Sequence, residues 1–201
     1  MQDHPFATLV SCGPGGLMAN HVPLLYVDGD ATRAGGARTL HGHVARANPQ
    51  WREIQSGTEV LAIFSGPNAY ISPTVYETKR ANGKVVPTWN YVVVHAYGTG
   101  RTYDDPQRLH ELVSRLTNVH ERGRAQRWAV SDAPEPYVAA QLRGIVGIEI
   151  AVTRLIGKWK LSQNHSEADR LGAVADLTSS VNVRDRATAD VMSELERRRG
   201  L

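Results

Sequence analysis

The sequence predicts a mainly β, α+β fold: an antiparallel barrel that carries its helices on the outside. Three features lead there. Short β-prone runs fill the first two thirds of the chain, Gly-rich or polar stretches punctuate them, and the helical segments do not alternate with the strands as a parallel sheet requires. At 201 residues the chain suits one domain with helical additions: a barrel over 1–180 and a C-terminal helical or frayed tail over 181–201.

The first runs are Phe6 to Val10, Ala19 to Val27, Arg38 to Ala45 and Glu59 to Phe64. Gly13-Pro14-Gly15-Gly16 and the stretch from Gly29-Asp30 to Gly35-Gly36 read as hairpin connections between them. After the third run, Asn48-Pro49 supplies a cap and a first-turn proline for a short helix with Trp51 and Ile54 on one side. Val85 to Tyr97 is apolar on both alternating sets of positions, as a central strand would be. At Asp104-Asp105-Pro106 the period changes, and Leu109, Leu112, Val113 and Leu116 mark an amphipathic helix. A second short helix follows Asp132-Ala133-Pro134. The clearest strand alternates Val146, Ile148, Ile150 and Val152 with Gly147, Glu149, Ala151 and Thr153. Ser166 opens a further helix through Leu171 and Val174, and Ala187 to Arg199 is a polar helix or a frayed end.

Hydrophobic residues at 41% and charged residues at 21% argue against a disordered chain. Twenty-three basic against 20 acidic side chains leave a net charge of +3, too small for electrostatics alone to imply nucleic acid. The sole cysteine, Cys12, has no internal disulfide partner, and no Cys/His zinc spacing is present. With no long apolar stretch and no signal peptide at Met1-Gln2-Asp3-His4-Pro5, a cytoplasmic protein without a membrane span is expected.

Polar chemistry concentrates in three blocks. Leu40-His41-Gly42-His43-Val44-Ala45-Arg46-Ala47-Asn48-Pro49 runs from strand to helix, where helix N–H groups, the Arg46 fork and two imidazoles can hold a phosphate; a solvated strand end explains the same pattern. His41 and His43 share a strand face, but no carboxylate or third histidine stands near them in sequence, so no metal site is expected.

In Val86-Pro87-Thr88-Trp89-Asn90-Tyr91, Thr88 and Asn90 share one face and Trp89 and Tyr91 the other. A flat ring edged with carbonyls and nitrogens would use both faces, and so would a subunit interface or an aromatic core. Gly157-Lys158-Trp159-Lys160-Leu161-Ser162-Gln163-Asn164 follows the clearest strand and sets Lys158 and Lys160 on one side. Such a pair suits an anionic tail or guards an edge strand. Gly13-Pro14-Gly15-Gly16 lacks phosphate-loop spacing, and no nucleophile or metalloprotease motif occurs, so the sequence names no catalytic residue.

Taken in order, His4-Pro5-Phe6-Ala7-Thr8-Leu9-Val10, Ala19-Asn20-His21-Val22-Pro23-Leu24 and the three polar blocks resemble the PaiB family of FMN-binding negative transcriptional regulators over His4 to Leu177. Members of that family usually carry further residues before the His-Pro-Phe block, so this start reads as a late one. The resemblance implies a split barrel of the flavin-reductase and pyridoxamine-phosphate-oxidase type, a homodimer with FMN at the subunit interface. By that likeness the phosphate falls to His41, His43, Arg46 and Asn48. Asn20, His21, Thr88, Trp89, Asn90, Ser162, Gln163 and Asn164 then line the ring, with Lys158 and Lys160 beside them. Two functions are consistent with such a pocket: flavin-linked transcriptional regulation, or an FMN-dependent oxidoreductase acting on a small molecule. A cofactor-free structural dimer is the third. DNA as a partner lacks a recognisable motif, since Arg197-Arg198-Arg199 reads as a solvated end.

Overall fold

Strand β1 (Phe6–Gly13) alternates buried Ala7, Leu9 and Ser11 with more accessible neighbours, and it turns into β2 (Gly16–Pro23) through the two residues Pro14-Gly15. The register runs from Phe6 opposite Pro23 to Gly13 opposite Gly16, and Gly16 closes the turn at φ +94°, a conformation that only glycine adopts cheaply. The computed structural model describes residues 1–29 and 38–199. The connection expected at Gly29 to Gly36 therefore lies, apart from Gly29, outside the described residues.

The other strands are β3 (Leu25–Val27), β4 (Thr39–Ala45), β5 (Glu59–Ile71), β6 (Thr88–Tyr103) and β7 (Ile145–Lys160). They form a seven-stranded sheet in the order β2-β1-β5-β6-β7-β4-β3, with β6 at the centre, as its two-sided apolar pattern requires. The β1–β2, β1–β5, β3–β4 and β4–β7 pairs are all antiparallel. The expected run Ala19 to Val27 is broken at Leu24 into β2 and β3, β5 runs on past Phe64 to Ile71, and β6 begins at Thr88 rather than at Val85. The Gly157 block does not wholly follow the clearest strand: β7 continues through Trp159 to Lys160.

The chain divides into two compact units, residues 1–64 with 95–156 and residues 65–94 with 157–201; β5, β6 and β7 each contribute a part to both. The first unit holds the helices α1 (Gln50–Gln55), α3 (Pro106–His120) and α4 (Glu135–Arg143), and the second holds α2 (Glu77–Asn82), α5 (Glu167–Ser179) and α6 (Val183–Arg199). In the first unit the Asp105 carboxylate caps α3 by accepting from the Arg108 N–H, and Leu112 and Leu116 bury their faces against Leu25 and Tyr103. Each fully buried leucine contributes roughly 1.5–3 kcal/mol.

In the second unit α5 and α6 close over Ala69, Ile71, Tyr76 and Leu161, using Ala173, Leu177, Ala189 and Met192. Ser166 caps α5 as expected, while α2 was not foreseen: Glu77–Asn82 is a single short polar helix with no buried residue and hence no apolar period. The C-terminal stretch is helical from Val183, and its Ala189 and Met192 are buried.

Candidate functional site

The structure distributes the sequence-predicted residues between the two units. In the first, β4 delivers His41 and His43 and then passes into α1 through Arg46 and Asn48. Gly42 sits between the two histidines because the chain passes close by: a Cβ there would come within 2.8 Å of the Pro23 carbonyl oxygen.

Arg46 binds the protein itself. Its Nε donates to the Arg143 carbonyl at 2.9 Å, one Nη donates to the Ile145 carbonyl at 3.2 Å, and the other reaches the Asp104 carboxylate at 3.5 Å. Three of its five N–H groups are engaged and two remain. Asn48 likewise takes a helix donor, accepting from the Gln50 N–H at 3.0 Å.

Gln50 is the residue that sequence reasoning missed. Fully buried, its amide nitrogen donates to the Leu9 carbonyl at 2.9 Å and the Ser11 hydroxyl at 3.2 Å, while its oxygen accepts from the Asn20 amide at 3.0 Å. Asn20 also lies 3.5 Å from the Asn48 oxygen, so Asn20, Asn48 and Gln50 form one amide network joining the β1–β2 hairpin to α1. A polar residue directly after Asn-Pro reads as solvent-facing, and only its place in the tertiary structure marks it. His21 stands apart from this network, its ring stacked on Phe6 at 6.0 Å.

The two imidazoles differ in their partners. The His41 Nε2 lies 2.8 Å from the Thr39 hydroxyl, and its Nδ1 lies 4.0 Å from Glu149, whose carboxylate also accepts from Arg108 at 3.2 Å. Burial pushes the His41 pKa down; Arg115 and Arg108 add to this and Glu149 opposes it. Burial also pushes His43 down, and its Nδ1 is buried with no hydrogen-bond partner. Both rings therefore favour the neutral form at pH 7. Among the described residues no group of three or more His, Cys, Asp or Glu stands together as a metal centre would need.

In the second unit β6 separates its faces as alternation dictates: Asn90 is fully buried, while Trp89 is 54% exposed. Asn90 accepts from the Ser162 hydroxyl at 3.1 Å and points its amide at the Met192 sulfur at 3.3 Å. Ser162 holds φ +62°, a left-handed conformation that places its hydroxyl in the interior just after β7 ends.

Lys160 donates to the Thr88 hydroxyl and, at 2.7 Å, to the Trp89 carbonyl. Lys158 is exposed, has no ion-pair partner among the described residues, and lies 6.0 Å from the centre of the Tyr91 ring. Gln163 pins the turn, its oxygen accepting from the Leu161 N–H at 2.7 Å and its nitrogen donating to the Trp159 carbonyl at 2.6 Å. Asn164 is exposed beside it. Trp89 meets Tyr70 edge to face at 6.1 Å, and these two half-exposed rings wall a cavity of about 520 Å³ lined also by Asn68, Ser72 and Asp176. This unit thus carries an accessible cation, Lys158, beside Tyr91 and, separately, the flat aromatic surface and hydrogen-bonding edges of the cavity at Tyr70 and Trp89, the kinds of group that a phosphorylated planar ring uses.

The family described as "Putative FMN-binding domain" matches residues 1–154. The chain is 33% identical over 206 residues to the uncharacterized protein AN0679 of Emericella nidulans, covering 89% of this chain and 82% of that one. It is 31% identical over 194 residues to the protease synthase and sporulation protein PAI 2 of Bacillus subtilis, covering 96% of this chain and 88% of that one. Among solved structures it resembles the FAD and heme binding protein of Mycobacterium smegmatis, with a TM-score of 0.56 at 14% identity over 86% of this chain and 73% of that one. At such identity the likeness is one of fold, and it bears out the antiparallel split barrel.

Proposed function

Because this chain belongs to the PaiB-like family of FMN-binding domains, whose cofactor is FMN, we propose that it works as a flavin-binding regulator. In this reading it is a homodimer with FMN at the subunit interface, and the occupancy or redox state of the flavin changes the dimer and, downstream, transcription. The observation that carries the reading is the similarity to PAI 2 over nearly the whole of both chains rather than over an isolated barrel.

The residues present fit FMN. In the second unit the free ammonium of Lys158, the remaining N–H of Lys160 and the exposed Trp89 offer charge and ring surface. In the first unit the two unengaged N–H groups of Arg46 and the partnerless Nδ1 of His43 are the donor or acceptor capacity left over. Bound FMN supplies hydride and one-electron chemistry, while a protein supplies position and charge. Asn90, Ser162, Gln163 and the Asn20–Gln50–Asn48 network are bonded internally and act by holding the surrounding backbone. The neutral imidazoles of His41 and His43 contribute hydrogen bonds rather than positive charge.

The room beside Tyr70 and Trp89 supports a second reading, an FMN-dependent oxidoreductase whose small substrate lies against those rings. Hydrogen exchange on oxidised and photoreduced flavin-loaded protein, with a parallel assay of nicotinamide oxidation, separates the two. A redox-dependent change in exchange without steady turnover supports the regulator. Steady turnover without such a change contradicts it and selects the enzyme.

A further inference from the structure

We propose that the first unit carries a second ligand site, for a small carboxylic acid with an apolar body, in the cleft between α3 and the junction of β2 with β3. The cleft has a volume of about 630 Å³, within the range of small-molecule sites. Its floor is apolar and packed: Leu24 and Leu25 are buried, and Leu25 and Val119 belong to the small core that α3 closes. A floor that is part of a core keeps its shape when a ligand arrives.

The charged wall comes from the end of α3 and the turn that follows it: Arg115 and Asn118 lie one turn apart on the helix, Arg122 follows just past its last residue, His120, and all three line the cleft. Among the described residues neither arginine has an ion-pair partner, whereas Arg108 on α3 is bound to Glu149 and stacked on Tyr103 at 4.1 Å. Asp28 is engaged by the Tyr26 hydroxyl at 3.1 Å and by Arg38 at 3.3 Å, and Asp3 is the sole carboxylate in the lining.

Two guanidinium groups against one carboxylate leave the cleft cationic above an apolar floor. That combination fits a carboxylate held by the arginine forks with its hydrocarbon on Leu24, Leu25 and Val119. Arg115 also bears on His41, whose pKa it helps to lower, so an anion seated here would ease the protonation of that ring.

Octanoate titrated into the purified protein by calorimetry, with octanamide as its uncharged analogue and FMN content recorded separately, tests the assignment. Octanoate should bind one per chain, and octanamide about tenfold more weakly or worse. The double variant R115Q/R122Q, which alters one exposed position on α3 and one in the turn after it, should lose octanoate by about tenfold or more while keeping its circular dichroism and flavin content. The site is overturned if octanoate does not bind, if the amide binds equally well, if the double variant binds unchanged, or if FMN displaces octanoate one for one. The last outcome would make the cleft part of the flavin site. Because flavin content is read independently, a failure here leaves the FMN reading untouched.

Discussion

Arg170 and Glu196 form a two-armed ion pair between α5 and α6, with both nitrogen–oxygen distances at 2.8 Å and both side chains mostly buried. The guanidinium beside Glu196 holds its carboxyl below the usual carboxylate range, so the folded state favours the ionised acid. This stabilisation is complete above the unfolded carboxylate pKa and is lost as the pH falls through the lower folded value. Arg170→Ala leaves the mostly buried Glu196 with only Arg199, at 3.5 Å, in place of the two-armed pair and should cost about 2–3 kcal/mol in urea denaturation at neutral pH. A loss below about 0.5 kcal/mol would mean that the pair contributes no more than an ordinary surface contact.

Gln50→Leu should destabilise the first unit by about 2 kcal/mol or more, since it abandons the Leu9 carbonyl, the Ser11 hydroxyl and the Asn20 amide at once in a buried place. Gln50→Glu should be worse still at neutral pH, because a carboxylate would face the acceptor oxygens that the amide nitrogen now serves. Chemical denaturation of the two variants checks both the size and the order.

The neutral imidazole of His43 gives a pH signature. Burial lowers its folded pKa below the unfolded value of about 6.5, so the unfolded chain binds the proton more readily and stability falls as the pH drops below that value. His43→Leu should flatten the slope between pH 7 and pH 5.5 relative to the parent. An unchanged difference between the two pH values would show that other groups set it.

Arg46 and Lys158 should separate when each is replaced by alanine. Lys158→Ala should weaken FMN retention with little change in thermal stability, because Lys158 makes no ion pair within the described chain. Arg46→Ala should lower both, by about 1–3 kcal/mol in stability, since it releases the contacts to Arg143, Ile145 and Asp104. Equal retention by Lys158→Ala and the parent would remove Lys158 from the site.

The strand-rich fold was legible because its signals are local. Alternation at Val146 to Thr153, the Asn48-Pro49 start of α1 and the Asp105 cap of α3 all survive in the structure. The limits of β7 were not, since Arg154, Gly157 and Lys158 interrupt the apolar alternation on an exposed strand end. Within the candidate site, the opposed faces at Trp89 and Asn90 follow from period two alone. The partners do not: Asn90 and Ser162 stand 72 residues apart, Gln50 and Leu9 41 apart, and no local pattern announces either. Asp169 shows the same limit. At the third helical position it reads as part of a capping box, yet its carboxylate accepts from the N–H and hydroxyl of Thr78, a long-range bond invisible to spacing.

The most direct test is the visible absorption spectrum of the purified protein, mixed with FMN and passed through a sizing column. The account predicts flavin bands travelling with a dimer-sized peak at about one FMN per chain. A colourless peak that takes up no flavin would contradict it and leave the structural dimer, or another ligand, as the better description.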